Sequence, residues 1–173
     1  TSGLILIAKN KYAAQQLERQ RANHTLSRVY LALAEGHWTN QSKSGLIDRP
    51  IEKVPECFNR YQVADTGRPS RTEYEVLSEF TYEETPFSLV RLKLQTGRTH
   101  QIRVHMASLS HPLLGDSIYG HEGFLGFDRA ALHSFEITCQ LPGHQDLAVF
   151  SSEMPEDFQK MIAKSINFSS TLI

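Results

Sequence analysis

Three stretches of this chain change side-chain character residue by residue, and each is closed by a turn signal. "SRVYLALAEG" puts Val29, Leu31 and Leu33 on one side and Tyr30, Ala32 and Ala34 on the other, ending at Gly36. "SLVRLKLQTG" sends Val90, Leu92 and Leu94 inward and Arg91 and Lys93 outward, then breaks at Thr96-Gly97. "HSFEITCQL" repeats the pattern with Phe135, Ile137, Cys139 and Leu141 before Pro142-Gly143 turns the chain back into "LAVF". A two-residue period is the geometry of a strand, and short turns join strands antiparallel. "TEYEVLSEF", after the Thr66-Gly67 turn, adds another, and the apolar run Leu4 to Ala8 reads as a strand covered on both faces.

Helical periodicity is rarer. Asn10 is placed to cap a helix carrying Tyr12, Ala13, Leu17 and Arg21. Pro155 with Glu156 and Asp157 behind it opens a last helix with Phe158, Met161 and Ile162 inward. After Gly97 the period changes: Ile102, Met106 and Leu109 recur at four- and three-residue steps, so Thr99 to Ser108 reads as helix. Trp38 to Ile51 is polar and turn-rich, and "LLGDSIYG" reads as loop. The class predicted is α+β: a mixed, largely antiparallel sheet with flanking helices, in one domain over 1–173.

Composition bounds the function. With 40% hydrophobic and 21% charged residues the chain is that of an ordinary globular protein, and its net charge of -1 makes it no polycation. Affinity for nucleic acid must therefore come from a local patch. Cys57 and Cys139 stand far apart without a CxxC, which fits reduced cytoplasm and no disulfide; Cys139 reads as a small buried hydrophobe. No stretch has membrane-spanning length and no signal peptide is read. No nucleophile-elbow, Walker or dinucleotide motif occurs.

One window concentrates chemistry. "QTGRTHQIRVHMA" holds Arg98, His100, Gln101, Arg103 and His105, while no Asp or Glu occurs from Thr85 to Gly115. On a helix, Thr99 and Arg103 share one stripe, and Arg98, Gln101 and His105 a neighbouring one. Gly97 frees the backbone just ahead, where N–H groups and Arg98 can meet a phosphate. The plainer alternative pairs the arginines with Glu73 and Glu75. His100 and His105 are five apart, on different faces, where a metal pair prefers four, so no metal site is expected. Tyr30 read alone is a core tyrosine, and Asp116 a turn-capping aspartate.

"TSGLILIAK", "SRVYLALAEG", "TGRPSRTEYEVL", "LQTGRTHQIRVHMASLSHPLLGDSIYG" and "ALHSFEI", in this order, resemble the RluA family of RNA pseudouridine synthases, from Thr1 to about Phe158. The resemblance implies a sheet with a cleft across it and isomerisation of uridine to pseudouridine in ribosomal or transfer RNA, by a cytoplasmic monomer. It implies no cofactor and no metal. The target nucleotide would leave its stack, costing roughly a few kcal/mol, and be held in a pocket. Tyr30 matches the tyrosine that stacks on the uracil and takes the C5 proton. Arg103 matches the arginine that pairs with the catalytic aspartate. Arg98, His100 and Gln101 become candidates for RNA contact, with Arg68 and Arg71 secondary. The aspartate itself belongs to an H-R-L-D-x-x-T-S-G motif; here Thr1-Ser2-Gly3 is that motif's end, so the aspartate is expected three residues before Thr1 and the chain is expected to begin within the domain. A non-catalytic RNA-binding module is the rival reading.

Overall fold

The computed structural model describes the backbone of residues 1–170 and the side chains of residues 1–166. In chain order the elements are β1 (Ser2–Gly3), α1 (Lys11–Ala22), β2 (Ser27–Glu35), β3 (Ser44–Asp48), β4 (Ile51–Lys53), β5 (Tyr61–Val63), β6 (Arg71–Tyr82), β7 (Thr85–Leu94), α2 (Gln101–Ser108), β8 (Leu132–Gln140), β9 (Leu147–Ser151) and α3 (Glu156–Ser170). Seven strands form one sheet in the order β1-β8-β2-β7-β6-β3, with β9 also on β8; β4 and β5 make a separate hairpin. Every ladder is antiparallel except β1 on β8. The α+β class with a largely antiparallel sheet is thus as expected.

The central pair β2 and β7 is buried on both faces, which its alternation of medium and small apolar residues allows. One face presents Leu31, Leu33, Phe87 and Leu89 to Phe158 and Met161 of α3. The other presents Ala32, Ala34, Val90 and Leu92 to Ile102 and Met106 of α2, with Tyr30 packed at its margin. The alanines let α2 lie close to the sheet. Asn10 caps α1 as expected, its side chain accepting from the Ala13 N–H at 2.8 Å. Cys139 is buried, Cys57 exposed, and both are free. Among the described residues no helix is long and apolar enough to cross a membrane, and no group of three His, Cys, Asp or Glu is placed to hold a metal.

Three expectations are corrected. Leu4 to Ala8 is not a buried strand: only Ser2–Gly3 pairs, with His133 and Ser134, and Ile5 and Ile7 are 81% and 72% exposed. The reason is steric, because β9 already occupies that edge of β8 from Glu136 to Gln140. The helix begins at Gln101 rather than Thr99, since His100 stands in the left-handed region at φ 55°. Trp38 to Ile51 is more than loop: it contains β3, and Trp38 is buried, stacked on His111 at 4.0 Å.

Candidate active site

Tyr30 and Arg28 share one face of β2, two residues apart. Beside them the turn after β7 carries Gly97 and Arg98, and α2 brings Arg103 over the same opening. Together with Thr1 they line a cleft of about 670 Å³, floored by Leu94, Ile102 and Leu132. That is a volume suited to a small-molecule or nucleotide-sized guest. A bulge in β8 at Phe135, where β2 steps from Val29–Glu136 to Tyr30–Ser134, falls at this point, and such bulges re-aim side chains beside functional sites. Tyr30 is half-buried, and its hydroxyl bonds to no described residue.

Arg103 is held in two directions at once. Its Nε donates to Asp116 Oδ2 at 2.7 Å and its Nη2 to Oδ1 at 2.6 Å, a two-pronged pair with the carboxylate fully buried and the arginine side chain 17% exposed. The Tyr119 ring lies under the guanidinium, 5.0 Å from Cζ to the ring centre. Asp116 Oδ1 also accepts from the N–H groups of Ile118 and Tyr119. Burial pushes the Asp116 carboxyl up, but those hydrogen bonds from Arg103, Ile118 and Tyr119 outweigh it and hold it below the usual carboxylate range. The hydrogen bonds to Asp116 in turn raise Arg103 above its ordinary value, against the lowering effect of burial.

Among the described residues the carboxylate on Arg103 is Asp116, and neither Glu73 nor Glu75 pairs with it. Glu73 accepts from Gln95 and Glu75 pairs with Arg91. The aspartate read as a turn cap does both jobs. It was missed because it lies thirteen residues on, past the acid-free window, in a loop without periodicity. A signal was present in Gly115 immediately before it. At φ 67°, a Cβ there would meet the Phe127 and Arg129 carbonyl oxygens at 2.5 Å, so only glycine lets the loop pass and set Asp116 inward.

His100 lines the cleft and packs against Tyr61 and Tyr119. Tyr119 Oη accepts from the Tyr61 N–H at 2.9 Å and shares a hydrogen bond with His100 Nδ1, 3.0 Å away. Burial chiefly, then the Arg103 charge, lowers the His100 pKa, and the ring is neutral at pH 7.

The other expected residues separate. Arg98 lines the cleft and a second one of about 480 Å³ beside it, which Arg68 and Lys53 also line. Arg71 faces a different groove, with Lys93, and pairs with Asp48 at 2.9 Å. Gln101 is 2% exposed and its amide is spent inside the fold: Nε2 donates to Arg71 O and Thr72 Oγ1, while Oε1 accepts from Thr96 Oγ1 and the Arg98 N–H. It holds the turn that carries Arg98. His105, fully buried, donates from Nε2 to Arg49 O and accepts from Thr72 Oγ1 at Nδ1. Arg28, unremarked in the sequence, was legible from its position two residues before Tyr30.

A family model for RNA pseudouridylate synthase matches residues 1–108. Ribosomal large subunit pseudouridine synthase D of Nitrosomonas europaea is 36% identical over 170 residues, covering 94% of this chain and 47% of that protein. An uncharacterized RNA pseudouridine synthase of Bacillus subtilis is 40% identical over 161 residues, covering 93% and 52%. The solved human RNA pseudouridylate synthase domain containing 1 superposes with a TM-score of 0.68 at 30% identity, over 84% of this chain and 62% of that one. The chain spans about half the length of the curated relatives it matches. With the model covering more than half its residues, this chain belongs to the RNA pseudouridylate synthase family.

Proposed function

We propose that the protein isomerises uridine to pseudouridine in RNA, and that the Tyr30–Arg103 cleft receives the everted nucleotide. The observation that carries this reading is the convergence of Tyr30, Arg103 and Thr1 on one nucleotide-sized opening. A carboxylate three residues ahead of Thr1 would lie within about 10 Å of extended chain from that opening. Its delivery there needs no rearrangement of the sheet.

The chemistry follows from the side chains. The bond between ribose C1′ and uracil N1 breaks, the base turns, and C5 bonds to C1′; the proton lost from C5 is matched by one taken up at N1. A carboxylate covered by a bound nucleotide is desolvated and tends to protonate, which would end its nucleophilicity. Arg103 opposes that shift. Asp116 engages Nε and Nη2, leaving Nη1 with its two N–H groups for a second carboxylate. Asp116 is itself fully buried behind the arginine, so it positions Arg103 and does not touch the nucleotide. Tyr30 offers a ring face for the uracil and an unbonded hydroxyl for the C5 proton. Arg98, with Arg68 beyond it, supplies cations for the flanking backbone, and neutral His100 adds a hydrogen-bonding edge without charge.

The test is mass-spectrometric mapping of pseudouridines in RNA from cells with and without the gene. Loss of one or a few sites on deletion, restored by the wild-type gene and not by a Tyr30→Ala copy, is the expected result. Unchanged pseudouridine maps, with RNA bound by the purified protein, would instead support a non-catalytic RNA-binding module.

A further inference from the structure

Arg28, like Arg98, is a cation in this cleft with no carboxylate partner among the described residues, and of the two it is Arg28 whose guanidinium carries a buried, unbonded N–H. Arg103 has Asp116, Arg71 has Asp48, Arg91 has Glu75 and Arg129 has Asp157. Arg28 has no carboxylate within ion-pair reach among the described residues. Its one hydrogen bond runs from Nη2 to the Thr96 carbonyl at a long 3.4 Å. Its Nε is buried with no partner. A guanidinium carries five N–H donors, and leaving charged donors unsatisfied away from water is unfavourable. A half-buried arginine held by a single long contact is therefore one whose ligand comes from outside the chain.

A second position is given over to the same group. Gly97 has no left-handed backbone to explain it; instead a Cβ there would meet Arg28 Nη2 at 2.7 Å and Nη1 at 3.1 Å. The glycine makes room for the guanidinium to lie against the turn. Arg28 thereby sits in the cleft with Arg98 and Arg103, where only an anion relieves the accumulated charge.

We propose that Arg28 is a phosphate-binding residue that grips the phosphodiester of the nucleotide whose base rests on Tyr30. Arg28 and Tyr30 are two residues apart on one strand face, about 7 Å, a spacing comparable to that between a nucleobase and its own phosphate. The proposal rests on the reading that the cleft takes an RNA nucleotide. It adds that the nucleotide is held by its backbone from β2.

The experiment measures binding of a short oligouridylate to the purified full protein by fluorescence anisotropy over a potassium chloride series, alongside pseudouridine formation in the RNA found by deletion mapping. Arg28→Gln should weaken binding about tenfold, as loss of a charge-assisted hydrogen bond does, and reduce the log–log salt slope by about 0.7, one phosphate contact on a single strand. Arg28→Lys should keep the slope. Gly97→Ala, which leaves Arg28 in place but displaces its guanidinium, should weaken binding similarly and add nothing in the Arg28→Gln background. If Arg28→Gln does not fold, Gly97→Ala carries the test alone. An unchanged slope in either folded variant overturns the proposal, because a mere strut for the Thr96–Gly97 turn would lower the melting temperature without moving the slope. Wild-type activity with unmoved slopes sinks only the Arg28 contact. Slopes that move in a wild-type background forming no pseudouridine anywhere sink the isomerase reading and leave the phosphate grip standing.

Discussion

The sheet presents Leu31, Leu33, Phe87 and Leu89 to one side and Ala32, Ala34, Val90 and Leu92 to the other, and the two sides are finished differently. Against α3 the packing is apolar apart from Ser165, whose hydroxyl bonds within the helix, and Phe158 is fully buried and set edge-on to Phe127 at 6.0 Å. Against α2 the apolar layer is thinner, and beyond it lie buried Thr72, Gln101, His105 and Asp116, each with its hydrogen bonds met within the fold. Apolar packing tolerates small shifts in direction; a buried hydrogen-bond network fixes direction at the risk of a large penalty for any missing partner. The face that must aim Arg103 and Arg98 is built in the second way.

That contrast can be broken by substitution. Phe158→Ala should lower stability by about 3–5 kcal/mol, the cost of an aromatic cavity, while the folded fraction forms pseudouridine at the wild-type rate per molecule; denaturant titration with single-turnover kinetics checks both. Asp116→Asn should cost about 3 kcal/mol, because it strips a buried charge from its partner, and unlike Phe158→Ala should also slow turnover per folded molecule. An Asp116→Asn protein with wild-type turnover would detach the α2 network from catalysis.

Proton linkage sharpens the contrast further. His105 titrates low chiefly because it is buried, and His100 likewise. Between about pH 6.5 and their folded values the unfolded chain binds more protons than the folded one. Stability should therefore fall as pH drops through that window and level off below it. His105→Gln should flatten this limb and Phe158→Ala should leave it in place. At lower pH, Asp116 contributes stability that is present above about pH 4 and lost as the solution passes down through its depressed folded pKa; Asp116→Asn should remove that acid limb. The smallest effect belongs to Arg98→Ala: weaker RNA binding, with a salt slope shallower by about 0.7 and the rate on bound RNA little changed.

How much of this was legible beforehand follows the same physics. Alternation located β2, β6, β7 and β8, a change of period located α2, capping signals helped place α1 and α3, and the Pro142-Gly143 turn pointed to β9, four of whose five residues are exposed. The short β3, β4 and β5 did not stand out, being largely exposed and held by register with neighbours rather than by their own pattern. "LILIA" was read as a buried strand because its composition says so; only the topology shows its place on β8 already taken by β9. In the cleft, Arg98, His100 and Arg103 stood out as a cluster in the sequence and Tyr30 only through the family resemblance; all four line the opening. Gln101 and His105 were read as an outward stripe, but Thr72 from β6 turns both into buried struts, a long-range contact no local pattern carries. The pairing of Arg103 with Asp116 was hidden for the same reason.

The measurement that bears most directly on the role of Arg103 is pseudouridine formation by Arg103→Lys under single-turnover conditions, with RNA affinity measured in parallel. Lysine keeps the charge but cannot span two carboxylates as the fork does. The account predicts a rate lower by about a hundredfold or more, as when one preorganised electrostatic donor is lost, with RNA affinity nearly unchanged. A variant that isomerises its uridine at the wild-type rate would contradict it.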